Sequence, residues 1–165
     1  MREVPCSRGM VALVDDEDFA AVSARRWSVT RNDKNGGTYY AIAGAVDGQP
    51  RVLMHRLLMQ PRAGESIDHI NGNGLDNRRK NLRRCSCALN AANRVKTRLP
   101  CTSRFKGVNR RPNGTYRAYI SQGGFKCLGT YRTEDDAARA YDRAARERFG
   151  EFARVNFDTG ESSDE

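Results

Sequence analysis

The stretch Asp68-His69-Ile70-Asn71-Gly72-Asn73, followed by Asp76-Asn77-Arg78, by Asn81-Leu82-Arg83 and by Ala88-Leu89-Asn90-Ala91-Ala92-Asn93, decides how this chain is read. It sets a carboxylate beside a histidine at the end of an apolar run, then a polar Gly-rich loop, a short strand-like stretch and a helix carrying an amide. Residues 65–70 predict a first strand, 81–86 a second, and a helix runs from 86 or 87 to about 95. Neighbouring side chains on a strand point to opposite faces. Asp68 and His69 therefore converge on one site only if the strand ends there, and Asn71-Gly72-Asn73-Gly74 is the turn chemistry that ends it.

The chemistry of these residue types is specific. Phosphodiester cleavage needs a water made nucleophilic, a metal to absorb charge and a route for the leaving 3′-oxygen. A histidine titrates near neutral pH and takes up a proton there. Asp68 and Asn90 offer two hard oxygen ligands, which suit Mg²⁺ or Mn²⁺ with water and phosphate in the remaining positions.

This stretch resembles the HNH nuclease family, a β-hairpin followed by a helix around one divalent metal. By that resemblance His69 matches the activating histidine and Asp68 the metal-binding acid. Asn81 matches the central residue that holds the loop and histidine in place, and Asn90 the second metal ligand. The second and third namesake positions are both Asn, the variant of the phage homing-endonuclease branch. An amide lacks a full charge, so metal affinity is expected to be moderate.

Simpler readings compete. An Asp-His pair alone is commonly a surface turn, and Asn-Gly-Asn-Gly alone is only a turn. A calcium loop fails on its Gly positions and on the missing terminal Glu. His55, the other histidine, is expected to be structural or to touch phosphate. Cys6, Cys85, Cys87, Cys101 and Cys127 are odd in number and irregularly spaced, and Cys85 and Cys87 lack the spacing of a zinc knuckle, so all five are expected as reduced thiols.

Charge points to the partner. The 165 residues carry a net +9, of which residues 61–100 and 101–157 hold +6 each, while 158–165 hold −4. No acidic residue occurs between Asn77 and Thr133, a span with fifteen Lys or Arg. Solvated surfaces normally mix both signs, so an acid-free stretch marks a polyanion footprint. No stretch joins a basic face to a large apolar one, and no apolar run approaches the roughly 18 residues of a membrane span. The first residues lack a secretory h-region. Double-stranded DNA is the expected partner, with no membrane and no obligate protein partner, in the cytoplasm of a bacterial host.

The rest of the chain divides around a basic, Pro-containing stretch at 97–103, giving expected domains at 1–96 and 104–157 and a disordered acidic tail at 158–165. Within 10–60, strands are predicted at 10–14, 26–30 and 38–46, the last two flanking a turn at Asn35-Gly36-Gly37. A short helix opens on the acids Asp15 to Asp18, and 52–59 reads as a strand turning into a helix. In the second module, strands at 105–110, 115–121 and 125–131 precede a helix from Glu134 to about Phe149. Thr133 is its N-cap, and Gly150 its stop. The expected fold class is α+β: a small-strand region with a ββα-metal finger, then a three-stranded antiparallel sheet on one helix.

Phe105-Lys106-Gly107-Val108, Tyr116-Arg117-Ala118-Tyr119-Ile120, Leu128-Gly129-Thr130-Tyr131, Asp135-Asp136-Ala137-Ala138-Arg139-Ala140-Tyr141-Asp142 and Val155-Asn156-Phe157 resemble, in order, the DNA-binding domain of plant Apetala-two/ethylene-response factors. That family lays its sheet in the major groove with the helix behind it. Positions matching its DNA-facing residues are Lys106, Asn109, Arg111, Asn113, Tyr119, Ser121, Phe125 and Cys127. Several Arg and Trp contacts of the family are replaced here by Asn, Ser, Phe and Cys. Strand alternation puts Arg117 with Tyr119 and Ser121 on one face, and Tyr116, Ala118 and Ile120 under the helix. Near the finger, Arg78, Arg79, Arg83 and Arg84 are expected to grip phosphates.

Together these features imply a metal-dependent, site-directed DNA endonuclease of the homing type, leaving 5′-phosphate and 3′-hydroxyl ends. The alternative is a non-catalytic DNA-binding regulator that keeps a decayed finger. Intact Asp68, His69 and Asn90 favour the nuclease.

Overall fold

Apolar residues alternating near the start of the chain build the first layer. In the computed structural model, which describes residues 1–33, 37–45, 50–94, 96, 102–121 and 124–157, strand β1 (Arg2–Pro5) pairs antiparallel with β2 (Val11–Val14), and Val4 lies opposite Ala12. The sequence predicts β2 but not its partner, because Arg-Glu-Val-Pro carries a single apolar residue to bury. A 3-10 turn at Asp16–Asp18 leads into the short helix α1 (Phe19–Ser23). Strands β3 (Trp27–Asn32), β4 (Thr38–Ala43) and β5 (Val52–Leu53) form an antiparallel sheet in that order, and α2 (Met54–Met59) follows at once. The turn predicted at 35–37 and the end of the strand predicted to 46 fall largely outside the described residues.

The core of this region gathers Val4, Ala12, Val14, Val22, Trp27, Ala41, Ala43, Met54 and Leu58. Burying an aliphatic side chain of this size contributes about 1.5–3 kcal/mol. The Trp27 Nε1–H donates to the Val22 carbonyl at 2.8 Å, so the indole enters the core without an orphaned donor.

The stretch that opened the sequence reading forms an antiparallel hairpin, β6 (Glu65–His69) and β7 (Leu82–Ser86), with Asp68 opposite Arg83 and His69 opposite Leu82. Helix α3 (Cys87–Ala92) packs on both strands. Ser86 caps it, its hydroxyl accepting from the Leu89 amide at 3.3 Å. The helix ends earlier than the predicted 95, a residue outside the described set, because Asn93 serves as its C-cap.

The chain divides into two units, Met1–Asn93 and Arg94–Glu165. Lys96, assigned from sequence to the first domain, has its ammonium on the carbonyls of Ser103, Phe105 and Val108 at 2.8, 2.6 and 3.3 Å. In the second unit β8 (Val108–Arg110), β9 (Tyr116–Ser121) and β10 (Phe125–Tyr131) form an antiparallel sheet with β9 central, and α4 (Glu134–Phe149) covers one face. The first strand starts three residues later than predicted, because Gly107 adopts φ +73°. A Cβ there would lie 2.0 Å from the Tyr141 ring, so only glycine admits this contact between loop and helix.

Thr133 accepts from the Asp136 amide at 3.1 Å, as its N-cap position predicts. Val108, Ala118, Ala137, Ala138 and Ala140 form the core, the small side chains letting the helix lie close on the sheet. The buried Asp142 accepts from the backbone amides of Asn156 and Phe157, which ties down the end of the described chain. The tail 158–165 lies outside the described residues. Among those described, no helix is long and apolar enough to cross a membrane, and Cys6, Cys85, Cys87 and Cys127 are free thiols.

Candidate functional site

Between β6 and β7 the chain makes a twelve-residue excursion, 70–81, held by amide side chains and by Leu75, which packs against the core of this unit. Asn81 is its brace. Its Oδ1 accepts from the Asn71 amide at 3.0 Å, its Nδ2 donates to the Asp76 carbonyl at 2.8 Å, and its own carbonyl accepts from Ile70 at 2.9 Å. Asp76, 2% exposed, receives Asn71 Nδ2 at 2.9 Å and both Arg78 Nε and Nη2, at 2.7 and 2.6 Å. Those Arg78 hydrogen bonds hold its carboxyl below the usual carboxylate range. The loop then docks on β2 through Leu13, whose amide donates to Leu75 and whose carbonyl accepts from Asn77, both at 2.8 Å. At Gly74 a Cβ would lie 2.4 Å from the Tyr39 carbonyl, so the loop runs against β4 where no side chain fits.

His69 is buried at the end of β6 on this frame. Its Nε2 lies 3.4 Å from Asn77 Oδ1, and Asn77 Nδ2 donates to the Leu75 carbonyl at 3.1 Å. That second bond decides the orientation of the amide. Its oxygen faces the imidazole, which makes Nε2 the protonated nitrogen and leaves the lone pair on Nδ1. The His55 ring stands perpendicular to His69 with centroids 5.0 Å apart, and Tyr40 meets both rings edge-on at 5.7 Å. Burial pushes the His55 pKa down to about 3, with smaller contributions from His69 and Arg56. Burial also lowers that of His69, partly opposed by Asn77, Asp68 and Asp76. Both imidazoles are therefore neutral at pH 7.

Asp68 faces a different set of partners, as strand alternation requires. Arg83 Nε and Nη2 reach its Oδ2 at 2.9 and 2.8 Å. Asn93 Nδ2 lies 3.0 and 3.1 Å from its two oxygens and 2.9 Å from the His69 carbonyl. The amide that ties the helix end to the Asp-His pair is thus Asn93, whereas Asn90 is half-buried. The signal for Asn93 is present in the sequence, since residues three apart share a helix face. Asp76 and Asn77 count in the sequence only toward the spacing of the motif, with no site role of their own. His55, expected from sequence to be structural or to touch phosphate, packs directly on His69.

The four finger arginines are engaged by carboxylates of their own unit. Arg78 holds Asp76, Arg83 holds Asp68, Arg84 Nη1 pairs with Glu65 at 2.8 Å, and Arg79 grips Asp18 through Nε and Nη2 at 2.8 and 2.6 Å. Among the described residues no three His, Cys, Asp or Glu side chains gather as a metal cluster.

In the second unit the sheet face away from α4 carries Asn109, Arg117, Tyr119, Ser121, Phe125 and Cys127, by the register that sets Asn109 opposite Arg117, Tyr119 opposite Cys127 and Ser121 opposite Phe125. Ala118 and Ile120 are buried on the helix side, as alternation predicts. Arg111 and Asn113 lie exposed at the turn between β8 and β9, where Asn113 Oδ1 accepts from the Thr115 amide and hydroxyl. Lys106 is half-buried with its ammonium 2.8 Å from the Arg94 carbonyl, and burial, with Arg154 and Arg94, lowers its pKa to about 8.

No protein-family model matches the chain. Over 147 residues, 84% of this chain and 74% of the relative, it is 29% identical to an uncharacterized HNH endonuclease of Acanthamoeba polyphaga mimivirus. Over 58 residues, 33% of this chain, it is 52% identical to the ethylene-responsive transcription factor LEP of Arabidopsis thaliana. Over 57 residues it is 47% identical to ethylene-responsive transcription factor 3 of Nicotiana tabacum. The matched segments make up only 28% and 25% of those two plant proteins. Most of the chain is therefore similar to a protein named as an endonuclease, and a third of it to proteins named as transcription factors.

Proposed function

We propose that this protein is a metal-dependent DNA endonuclease of the homing type, with β6, β7 and α3 as its ββα-metal finger and the second unit as its DNA anchor. The observation that carries this is the neutral His69, held beside Asp68 at the end of β6 with its Nε2–H on Asn77. That arrangement leaves Nδ1 as the base. It takes the proton of the attacking water as the new phosphorus–oxygen bond forms. The bond to the 3′-oxygen breaks and its electron pair leaves with that oxygen, which takes a proton from solvent water, giving a 5′-phosphate and a 3′-hydroxyl end.

The residues fit a hard, largely hydrated cation. Asp68 Oδ1 accepts only from Asn93 among the described residues, so it keeps acceptor capacity for Mg²⁺ or Mn²⁺, and Asn90 stands on the adjoining helix. The bound ion would stabilise charge on the scissile phosphate and on the leaving oxygen. Asp68 would hold it, with Asn90 as the second protein ligand and Asn81 keeping loop and histidine in register.

A second reading has its own support. Asp68 and His69 are 4% and 5% exposed, and Arg83 already neutralises the Asp68 charge. A finger retained only for docking on DNA would look the same. Incubating phage-scale DNA with the protein and Mg²⁺, then mapping the ends, separates the two. Cleavage that is lost with EDTA and lost in His69→Ala supports the nuclease, whereas binding without cutting under Mg²⁺ and Mn²⁺ establishes the regulator.

A further inference from the structure

We propose that Phe125 reads the C5-methyl group of a thymine in the major groove of duplex DNA, an inference that rests on the second unit being the DNA-binding half. Single exposed apolar residues are ordinary on protein surfaces, but Phe125 is held as a recognition element. It is 57% exposed, yet its ring stacks on Tyr119 at 5.0 Å with an interplanar angle of 20°. The Arg117 guanidinium lies 5.3 Å from the centre of the same ring, and Arg117 Nε is buried without a hydrogen-bond partner. An aromatic ring fixed by its neighbours loses little freedom on binding, and an unpartnered N–H gains an acceptor there.

The chemistry of the face selects the occupant. No carboxylate lies between Asn77 and Thr133, so the face suits a polyanion rather than an acid-masked protein surface. A phenyl ring offers no hydrogen bond to a phosphate or to a polar base edge. In the major groove the apolar group open to it is the thymine methyl. Arg117, whose guanidinium lies by the Phe125 ring, is a guanine-type reader, and Asn109, opposite it on β8, is an adenine-type one on the same sheet face.

The test compares alternating dA–dT and dA–dU duplexes, which differ only in that methyl, using the full-length protein in EDTA at fixed salt. The expected result is roughly fourfold tighter binding to the thymine duplex, the worth of one buried methyl group. Phe125→Ala should equalise the two affinities while leaving the salt dependence unchanged, and Phe125→Leu should retain part of the preference. Equal affinities of the unsubstituted protein for the two duplexes would overturn the assignment. Tighter binding to oligo(dT) than to either duplex would also overturn it, in favour of a platform for unpaired bases. Absence of salt-dependent binding to any DNA would remove the parent reading, and this one with it.

Discussion

His69 shows what one side chain inherits from its surroundings. An isolated imidazole titrates near 6.5; here burial lowers it, and Asn77, fixed by Leu75, decides which nitrogen holds the proton. As the proposed base His69 acts when neutral, so kcat/KM should fall toward acid pH on a single-proton limb whose midpoint lies below the ordinary imidazole value. Asn77→Asp places a negative charge at the acceptor, favours imidazolium and should move that limb upward by about one pH unit; a pH–rate profile of both proteins checks this. The same neutrality has a stability consequence. A histidine whose folded pKa is depressed takes up its proton more readily when unfolded. Its contribution is therefore complete above pH 6.5 and is lost as pH falls from there toward the folded value, about 3 for His55. Urea midpoints should show a loss of about 2 kcal/mol between pH 7 and pH 5 from His55, and His55→Phe should flatten that slope.

At the scale of elements, the buried amide of Asn93 joins the hairpin to α3, beside the buried apolar residues Ile67, Leu82, Cys85 and Ala92. Helix α3 is six residues long, too short to persist alone, and is held by Ser86 at one end and Asn93 at the other. Asn93→Ala removes the donor shared by Asp68 and the His69 carbonyl. It should lower kcat by about 10²-fold or more while leaving DNA affinity within about threefold. Asn90→Ala should instead raise the Mg²⁺ concentration needed for half-maximal rate, with the maximal rate largely recovered at high metal. Metal titrations of the two variants distinguish a positioning residue from a ligand. Should Asn90→Ala titrate like the unsubstituted protein, Asn90 is not a ligand.

At the scale of the whole molecule, the proposed function divides the labour between the two units. The finger arginines are engaged by Asp76, Asp18, Asp68 and Glu65, whereas the sheet of the second unit presents its basic residues without an acid. A fragment of 1–96 should therefore cut weakly and with little site preference. A fragment of 94–157 should bind duplex DNA without cutting, its affinity falling linearly on a log–log plot against salt as counterions are released. Arg117→Ala should cost about 1–3 kcal/mol of binding if it reads a base. A 1–96 fragment that kept the full-length site preference would place targeting in the finger.

Local chemistry was legible without coordinates. The hairpin, the register-dependent faces of β9, the Thr133 cap and the Gly150 stop follow from residue type and period, because these depend on neighbours a few residues away. What the tertiary structure alone decided depends on residues far apart in sequence. Nothing local tells that Leu13 receives the loop 70–81, or that His55 and Tyr40 wall in His69. The arginines show the same limit. As a run of cations they read as a phosphate grip, but Asp18 lies sixty-one residues from Arg79 in sequence, and only the folded chain brings that carboxylate to the guanidinium.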